Sequence, residues 1–368
     1  MHKIIISGYY GFNNIGDESI LTSIVDNLKE RIEDIEITVL SVNPQSTSER
    51  HKVHAIDRKN MKQVYHAIKK CDVLISGGGS LLQDVTSRRS ISYYLVIMLI
   101  AILLRKKVMI YSQGIGPINR HMNKYFVQWV LNKVDCITVR DEKSHKLLQD
   151  IGVHKPPIYV TADPVMSLKK GNIEIGKKRL LKEGMQNKKE KPLIGFAIRG
   201  WQKNEKLKEN IAKTADKLIE NYGAQVAFIP FHFGEDMKMM EDIEETMMHK
   251  AIFIKNKYDI YEMLGIVGNL DLLIGVRLHS LIFAAIMNIP MIAISYDPKI
   301  DSFMESLGLS TLCSVDELAY EDLLLAIENK RNQSLQDKEV LRYSVEKIQK
   351  KLEINEKLLK DLLRQGAC

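Results

Sequence analysis

The sequence predicts an α/β protein with two parallel-sheet domains facing across a cleft, followed by a long helical segment. Three observations carry this expectation. Short, fully apolar runs rich in Ile and Val recur in both halves of the chain, the composition of strands buried on both faces. Each run is followed by a segment of helical period, and such alternation folds as a parallel sheet covered by helices. At 368 residues the chain exceeds one ordinary core and suits two domains of common size.

Taken in order, residues 1–168 form the first domain. Residues 3–7 are a strand, and the helix after the next loop has Ile20, Leu21, Ile24, Val25, Leu28 and Ile32 on one face. Further strands are expected at 35–42, 72–76, 108–112, 136–139 and 158–161. Residues 169–191 carry nine Lys or Arg without a sustained apolar period, which reads as a solvated connection with a mobile surface helix. The second domain, 192–315, has strands at 193–198, 225–230, 251–254, 272–276 and 291–295. Both halves therefore read as Rossmann-like. Residues 316–368 are helical, and the last helix is long enough to pack back on the first domain.

A hydrophobic content of 45% with 27% charged residues is that of a globular protein with a sizeable core. The net charge of +7 suits an anionic partner. Nucleic acid is disfavoured, because the basic residues are dispersed or gathered in the connection, aromatics are 7%, and no nucleic-acid motif is present. Cys71, Cys136, Cys313 and Cys368 are far apart with no CxxC pair, so neither a disulfide framework nor a metal site is expected. The N-terminal MHKIIISGYYG is too short for a signal peptide's apolar core and reads as a first strand of a cytoplasmic protein. Residues 91–104, ISYYLVIMLIAILL, are apolar on all faces and flanked by Arg88, Arg89, Arg105, Lys106 and Lys107. They are too short to span a bilayer, leaving a buried helix or one that dips into the interface beside anionic lipid at the inner membrane surface.

Three strand ends of the first domain carry glycine-bearing loops, and ligands of open α/β sheets bind outside such ends. In GYYGFNNIGDE the spacing is faintly that of a phosphate loop, but Asp17 stands where phosphate binding needs Lys. The loop reads better as a polar cradle in which Asn13, Asn14 and Asp17 meet hydroxyl groups, as a sugar would offer; alternatively Asp17 caps its helix. Gly78, Gly79 and Ser80, and Gln113 of QGIGP, extend that acceptor face, the glycines permitting close approach or serving only a tight strand-to-helix turn. Arg140 ends a fourth strand, where it could reach a ligand or simply pair with the neighbouring Asp141 and Glu142.

The densest chemistry lies in residues 271–299, DLLIGVRLHSLIFAAIMNIPMIAISYDPK, a β-loop-α-β unit. Arg277 and His279, two apart in an extended segment, should point the same way, with Ser280 capping the helix. Residues 272–296 hold no Asp or Glu. Arg199, Arg277 and Lys299 at strand ends, with Arg140 and one imidazole, suit a ligand carrying two or three negative charges.

These segments, GYYGFNNIGDE, SGGGSLLQD, QGIGP and above all VRLHS with AISYDPK, resemble the polysaccharide pyruvyl transferase family, close to its CsaB-type members. The resemblance spans nearly the whole chain, and RLHS with Lys299 twenty residues beyond His279 is its most specific part. It implies a GT-B-like fold and transfer of pyruvate from phosphoenolpyruvate, as a ketal, to a sugar of a lipid-linked precursor of a secondary cell-wall polymer that anchors surface layers. The implied acceptor is a ManNAc-GlcNAc disaccharide. Phosphoenolpyruvate is a substrate, and no cofactor or metal is implied. Arg277, with Arg199, Arg140 and Lys299, would bind the donor, and His279 would move protons, since an imidazole ordinarily titrates at roughly 6.5. Asp17 would orient or deprotonate an acceptor hydroxyl.

Two other classes compete. A nucleotide-sugar glycosyltransferase of the same architecture would use an acidic side chain on ribose, which the acid-free stretch opposes. A non-catalytic module binding anionic polymer would need no imidazole beside Arg277.

Overall fold

The computed structural model describes residues 1–12, 14–85, 90–187, 191–200, 205–332 and 334–365. They group into two compact units. One holds residues 1–12, 17–168 and the chain from Ile348; the other holds 14–16 and 169–347.

In chain order the first half contains β1 (His2–Ser7), α1 (Ile15–Arg31), β2 (Ile35–Ser41), α2 (Pro44–His51), β3 (His54–Asp57), α3 (Met61–Lys70) and β4 (Val73–Ser76). It continues with β5 (Gly79–Leu82), α4 (Ser90–Leu103), β6 (Lys107–Ile115), α5 (His121–Leu131), β7 (Cys136–Val139), α6 (Glu142–Asp150) and β8 (Ile158–Val160). The second half holds α7 (Ile173–Lys182), β9 (Leu193–Ala197), α8 (Glu205–Tyr222), β10 (Gln225–Phe228), α9 (Asp236–Thr246), β11 (Ile252–Phe253) and α10 (Ile260–Val267). Then come β12 (Leu272–Gly275), α11 (Leu278–Met287), β13 (Met291–Ser295), α12 (Pro298–Ser306), β14 (Cys313–Ser314), α13 (Tyr320–Asn332) and α14 (Ser334–Gln365).

The first unit is a parallel sheet in the order β3-β2-β1-β4-β6-β7-β8, with β5 paired to β6. Burial on both faces explains its apolar strands, since Ile4, Ile5, Ile6, Val73, Leu74 and Ile75 are at most 2% exposed. Gly79–Leu82, the last two residues of SGGGS and the two leucines after them, form the short strand β5. Ser112 adopts φ 47° and the register against β7 shifts between Ile110 and Gln113, which lets β6 run on through the expected glycine turn to Ile115. Helices α3 to α6 share one core against this sheet. That core absorbs Ile91, Tyr94, Leu95, Ile97, Met98 and Ala101 of α4, so the all-apolar helix is largely a buried one. Among the described residues no helix is long and apolar enough to cross a membrane. Burial pushes the thiols of Cys71 and Cys136 up to about 12, which leaves both as packing groups. Cys368 lies outside the described residues.

The last turns of α14 belong to this unit. Asn355 donates to Ser112 Oγ at 2.9 Å and accepts from Thr138 Oγ1 at 2.7 Å, while the Tyr111 hydroxyl donates to Glu356 Oε1 at 2.8 Å. Glu356 is 3% exposed, and burial raises its carboxyl above the usual range. Because the folded value lies above the unfolded one, this group favours folding in acid and loses that contribution as pH climbs past the carboxylate range. Glu356→Gln should therefore stabilise the protein at pH 7 by on the order of 1 kcal/mol, with the gap closing near pH 4; denaturant unfolding at both pH values measures it.

The second unit is a six-stranded parallel sheet in the order β11-β10-β9-β12-β13-β14. Residues 169–191, expected as a solvated connection with a mobile surface helix, do hold a helix, α7, but it is built into this unit. A Cβ on Gly176 would lie 2.0 Å from the Gly265 carbonyl, and Arg179 pairs with Glu262 of α10. Two glycines at a helix crossing let the backbones touch, and a count of charges does not report that.

Candidate active site

At the carboxyl ends of β1 and β4 the glycines serve packing around Tyr10. A Cβ on Gly8 would lie 2.3 Å from the Tyr10 ring, and one on Gly77 would lie 2.2 Å from its hydroxyl. Burial, then the nearby Asp17 charge, pushes that hydroxyl well above its ordinary range. Two buried ionic side chains pin the same loop: Glu18 accepts the Gly11 N–H at 2.7 Å and lies 3.2 Å from His51 Nε2, while Arg58 donates to the Gly8 carbonyl at 3.0 Å over the Tyr93 ring. None of Tyr10, Glu18 or Arg58 was marked by the sequence, since each acts through a fold contact rather than a local pattern.

Asn14, not Asp17, caps α1, its Oδ1 accepting the Gly16 N–H at 3.0 Å. Asp17 Oδ1 lies 3.5 Å from where a Cβ on Gly79 would sit. Asn13 lies outside the described residues. Arg140, expected among the donor cations, groups instead with the acceptor residues of the first unit. It donates to Ser80 Oγ at 3.1 Å and pairs with Asp141 at 3.2 Å and Asp163 at 3.5 Å. Its guanidinium crowds Gly114, where a Cβ would fall 2.6 Å from Cζ. Gln113, expected to meet the acceptor, is fully buried and braces the glycine loop by donating to the Gly77 carbonyl at 2.9 Å. Gly78 is closed off by Pro164, 2.8 Å from its would-be Cβ. Asp17 and Ser80 remain partly exposed on this edge, and a carboxylate with a hydroxyl suits sugar hydroxyls.

In the second unit β12 ends on Arg277, which is the N-cap of α11, so His279 stands in the first helical turn and not on an extended segment. Ser280 is no cap either. It lies inside the helix with Oγ donating to the Arg277 carbonyl at 2.6 Å, and the side chain of the N-cap residue Arg277 does not cap α11. Arg277 Nε donates to Asp236 Oδ1 at 3.0 Å, and Nη2 reaches both Asp236 and, at 3.1 Å, Glu235. Asp236 is fully buried, its other oxygen accepting the N–H groups of Phe231 and His232 at 2.9 and 2.8 Å. Burial works against the Arg277 charge, and Asp236 outweighs it, holding the guanidinium above its ordinary range.

Glu235 is half exposed and bridges Arg277 to Arg199, 3.5 Å away. Burial tends to raise its carboxyl, but Arg199 and then Arg277 prevail and hold it below the usual range. Arg199 also donates to the Tyr296 hydroxyl at 3.0 Å. Lys299 lies 5.4 Å from the Tyr296 ring centre and 3.2 Å from Asp297. Arg199, Arg277 and Lys299 thus form one connected cluster, but it is not carboxylate-poor. Residues 272–296 lack acids, yet β10 ends two strands from β12 and delivers Glu235 and Asp236 to the guanidinium. A linear stretch cannot show what a neighbouring strand brings.

His279 packs over Gly16, where a Cβ would lie 2.2 Å from Nδ1. Residues 14–16 belong to this unit: the Ile15 N–H donates to the Phe231 carbonyl at 2.9 Å, and Asn14 bridges His232. His232, whose Nδ1 accepts the Glu235 N–H at 3.2 Å, is a second imidazole at these strand ends, and its position after β10 was the signal available for it. Gly16→Ala should displace the His279 ring and cost about 10²-fold in kcat with little change in Tm. The same change in a His279→Ala background should add nothing, and kinetics of the four proteins check both points.

The profile of the polysaccharide pyruvyl transferase family matches residues 14–298. The amylovoran biosynthesis protein AmsJ of Erwinia amylovora is 22% identical, across 85% of this chain and 88% of that protein. Among solved structures, the Neisseria meningitidis UDP-GlcNAc 2-epimerase bound to UDP-GlcNAc aligns with a TM-score of 0.65 at 10% identity, covering 98% of this chain and all (100%) of that one. A glycosyltransferase from Rickettsia africae aligns with a TM-score of 0.66 at 15% identity, covering 98% of each chain. Identities this low speak to the fold, which is GT-B-like with parallel sheets. The family match takes in Asp17, Ser80, Arg140, Arg199, Arg277 and His279, with Lys299 one residue beyond its end, and the chain belongs to the polysaccharide pyruvyl transferase family.

Proposed function

We propose that the protein transfers pyruvate from phosphoenolpyruvate onto a sugar of a lipid-linked cell-wall polysaccharide precursor, a ManNAc-GlcNAc disaccharide, as a ketal. The observation that supports this most is the Arg199, Arg277 and Lys299 cluster at the strand ends, adjoining the helix turn that carries His279. A carboxylate and a phosphate on one small carbon frame are what three fixed cations and a helix N-terminus can hold. His279 gives a proton to the methylene carbon, leaving an electron-poor centre at C2. One sugar hydroxyl adds there and loses its proton, phosphate departs with its bridging oxygen, and a second hydroxyl closes the ketal. Of the two hydroxyl protons, one in effect ends on the new methyl group and the other on phosphate. Asp17 orients or deprotonates an acceptor hydroxyl.

Incubation with phosphoenolpyruvate and a synthetic ManNAc-GlcNAc lipid tests the reading through acceptor-dependent phosphate release and product mass. Phosphoenolpyruvate left intact while a UDP-sugar is consumed would replace it with glycosyl transfer. Glu235 favours that second reading, since it places a half-exposed carboxylate where a ribose could meet one. The two readings differ over Glu235→Gln. With an anionic donor, removing a competing carboxylate should lower KM about two- to fivefold, the worth of an exposed ion pair; a rise in KM for a nucleotide-sugar would assign Glu235 to the ribose.

A further inference from the structure

Helix α5 is apolar on two sides. Val127, Val130 and Leu131 enter the core of the first unit. On the solvent side Met122, Tyr125, Phe126 and Trp129 are 63%, 55%, 45% and 44% exposed, at the i, i+3, i+4, i+7 spacing of one continuous stripe. A surface helix ordinarily presents polar groups there. The neighbouring α4 adds exposed Val96 and Leu103.

The charge around this stripe is mostly positive, and a carboxylate at its N-terminal end, Asp84, is engaged by the Asn119 and Arg120 N–H groups and the Asn123 side chain. Asp and Glu make up 46 of 368 residues, about one in eight, yet none occurs in the 50 residues from Val85 to Val134. Arg105, Arg120 and Lys133 are exposed and Lys124 partly so, while Lys107 is neutralised by Asp135. Lys133 Nζ stands 4.3 Å from the Trp129 ring centre, so a cation and an indole already share the edge of the stripe.

We propose that this face of α5 docks on the surface of an anionic lipid bilayer. Tyr and Trp seat at the boundary of headgroups and acyl chains, Phe and Met enter it, and the flanking cations meet lipid phosphate. A second copy of the chain is the poorer occupant, because pairing this face with itself would oppose mostly like charges, Asp84 and Asp135 being already engaged at the start of α5 and at Lys107. The inference is independent of the donor and acceptor proposed above, and its readout involves neither.

Flotation of the full-length protein with vesicles of phosphatidylcholine, with and without phosphatidylglycerol, tests it. Binding should be at least tenfold stronger to the anionic vesicles and should weaken as salt rises. Phe126→Ser with Trp129→Ser should lower it tenfold or more, and Arg120→Glu with Lys124→Glu about fivefold or more per site. Both pairs lie on the solvent side, so Tm should hold within a few degrees and identify any misfolded variant. Failure of the wild type to float with anionic vesicles, or variants that bind as it does, would overturn the proposal. So would a serine variant that turns a dimer into a monomer in sedimentation while vesicle binding is unchanged.

Discussion

Replacing His279 with alanine should lower turnover by roughly 10²- to 10⁴-fold, the usual worth of a positioned general acid or base. Its imidazole occupies the first turn of α11, next to the guanidinium-bearing N-cap, and is seated over a residue with no side chain. Truncation removes the proton carrier without touching Arg199, Arg277 or Lys299. The loss should therefore fall on kcat, leaving KM for the donor within a few-fold of wild type, and added imidazole should restore part of the rate. Steady-state kinetics at saturating donor decide the matter. Near-normal turnover would remove His279 from the proton path and direct attention to His232, the other imidazole at these strand ends.

Asp236→Ala should destabilise the protein by roughly 3–5 kcal/mol, the cost of stripping one partner from a buried ion pair. The carboxylate is fully buried, and it satisfies two backbone N–H groups as well as Arg277. Alanine leaves all three without it, the Phe231 N–H fully buried and the other two partly so. Asp236→Asn, which keeps the shape and one acceptor oxygen, should cost less and still weaken donor use, because the guanidinium then lacks the charge that aims it. Denaturant unfolding gives the first quantity, and the donor KM of the folded variants gives the second. Equal stability of wild type and Asp236→Ala would mean that Arg277 is held by something else.

The strands were legible because burial on both faces demands continuous apolar runs: residues 291–295 were placed to the residue, and the six positions expected on one face of the first helix are buried, Ile32 just past the end of α1. The gathering of Arg199, Arg277 and Lys299 followed from a topological rule, that parallel strands end on one side. What eluded the sequence was pairing between segments far apart in it. Nothing near Arg277 in the chain announces Glu235, Arg140 gives no hint that Asp163 will claim it, and Gln113 looks the same whether it faces a ligand or a glycine carbonyl. The α5 stripe was hidden for another reason. Helical period shows that an apolar face exists, but core and solvent faces spaced alike cannot be told apart without the sheet they pack on.

The two acids at Arg277 divide a task by depth. One is locked beneath the strand ends and the other stands at the mouth, already satisfying two guanidinium groups. A visitor with a single negative charge can do little better than the resident at the mouth and has small reason to stay. One bearing two or three charges outbids it. If these cations hold the donor as proposed, the site would sort small metabolites by valency before shape is consulted, and monoanions would be turned away by the protein's own side chain.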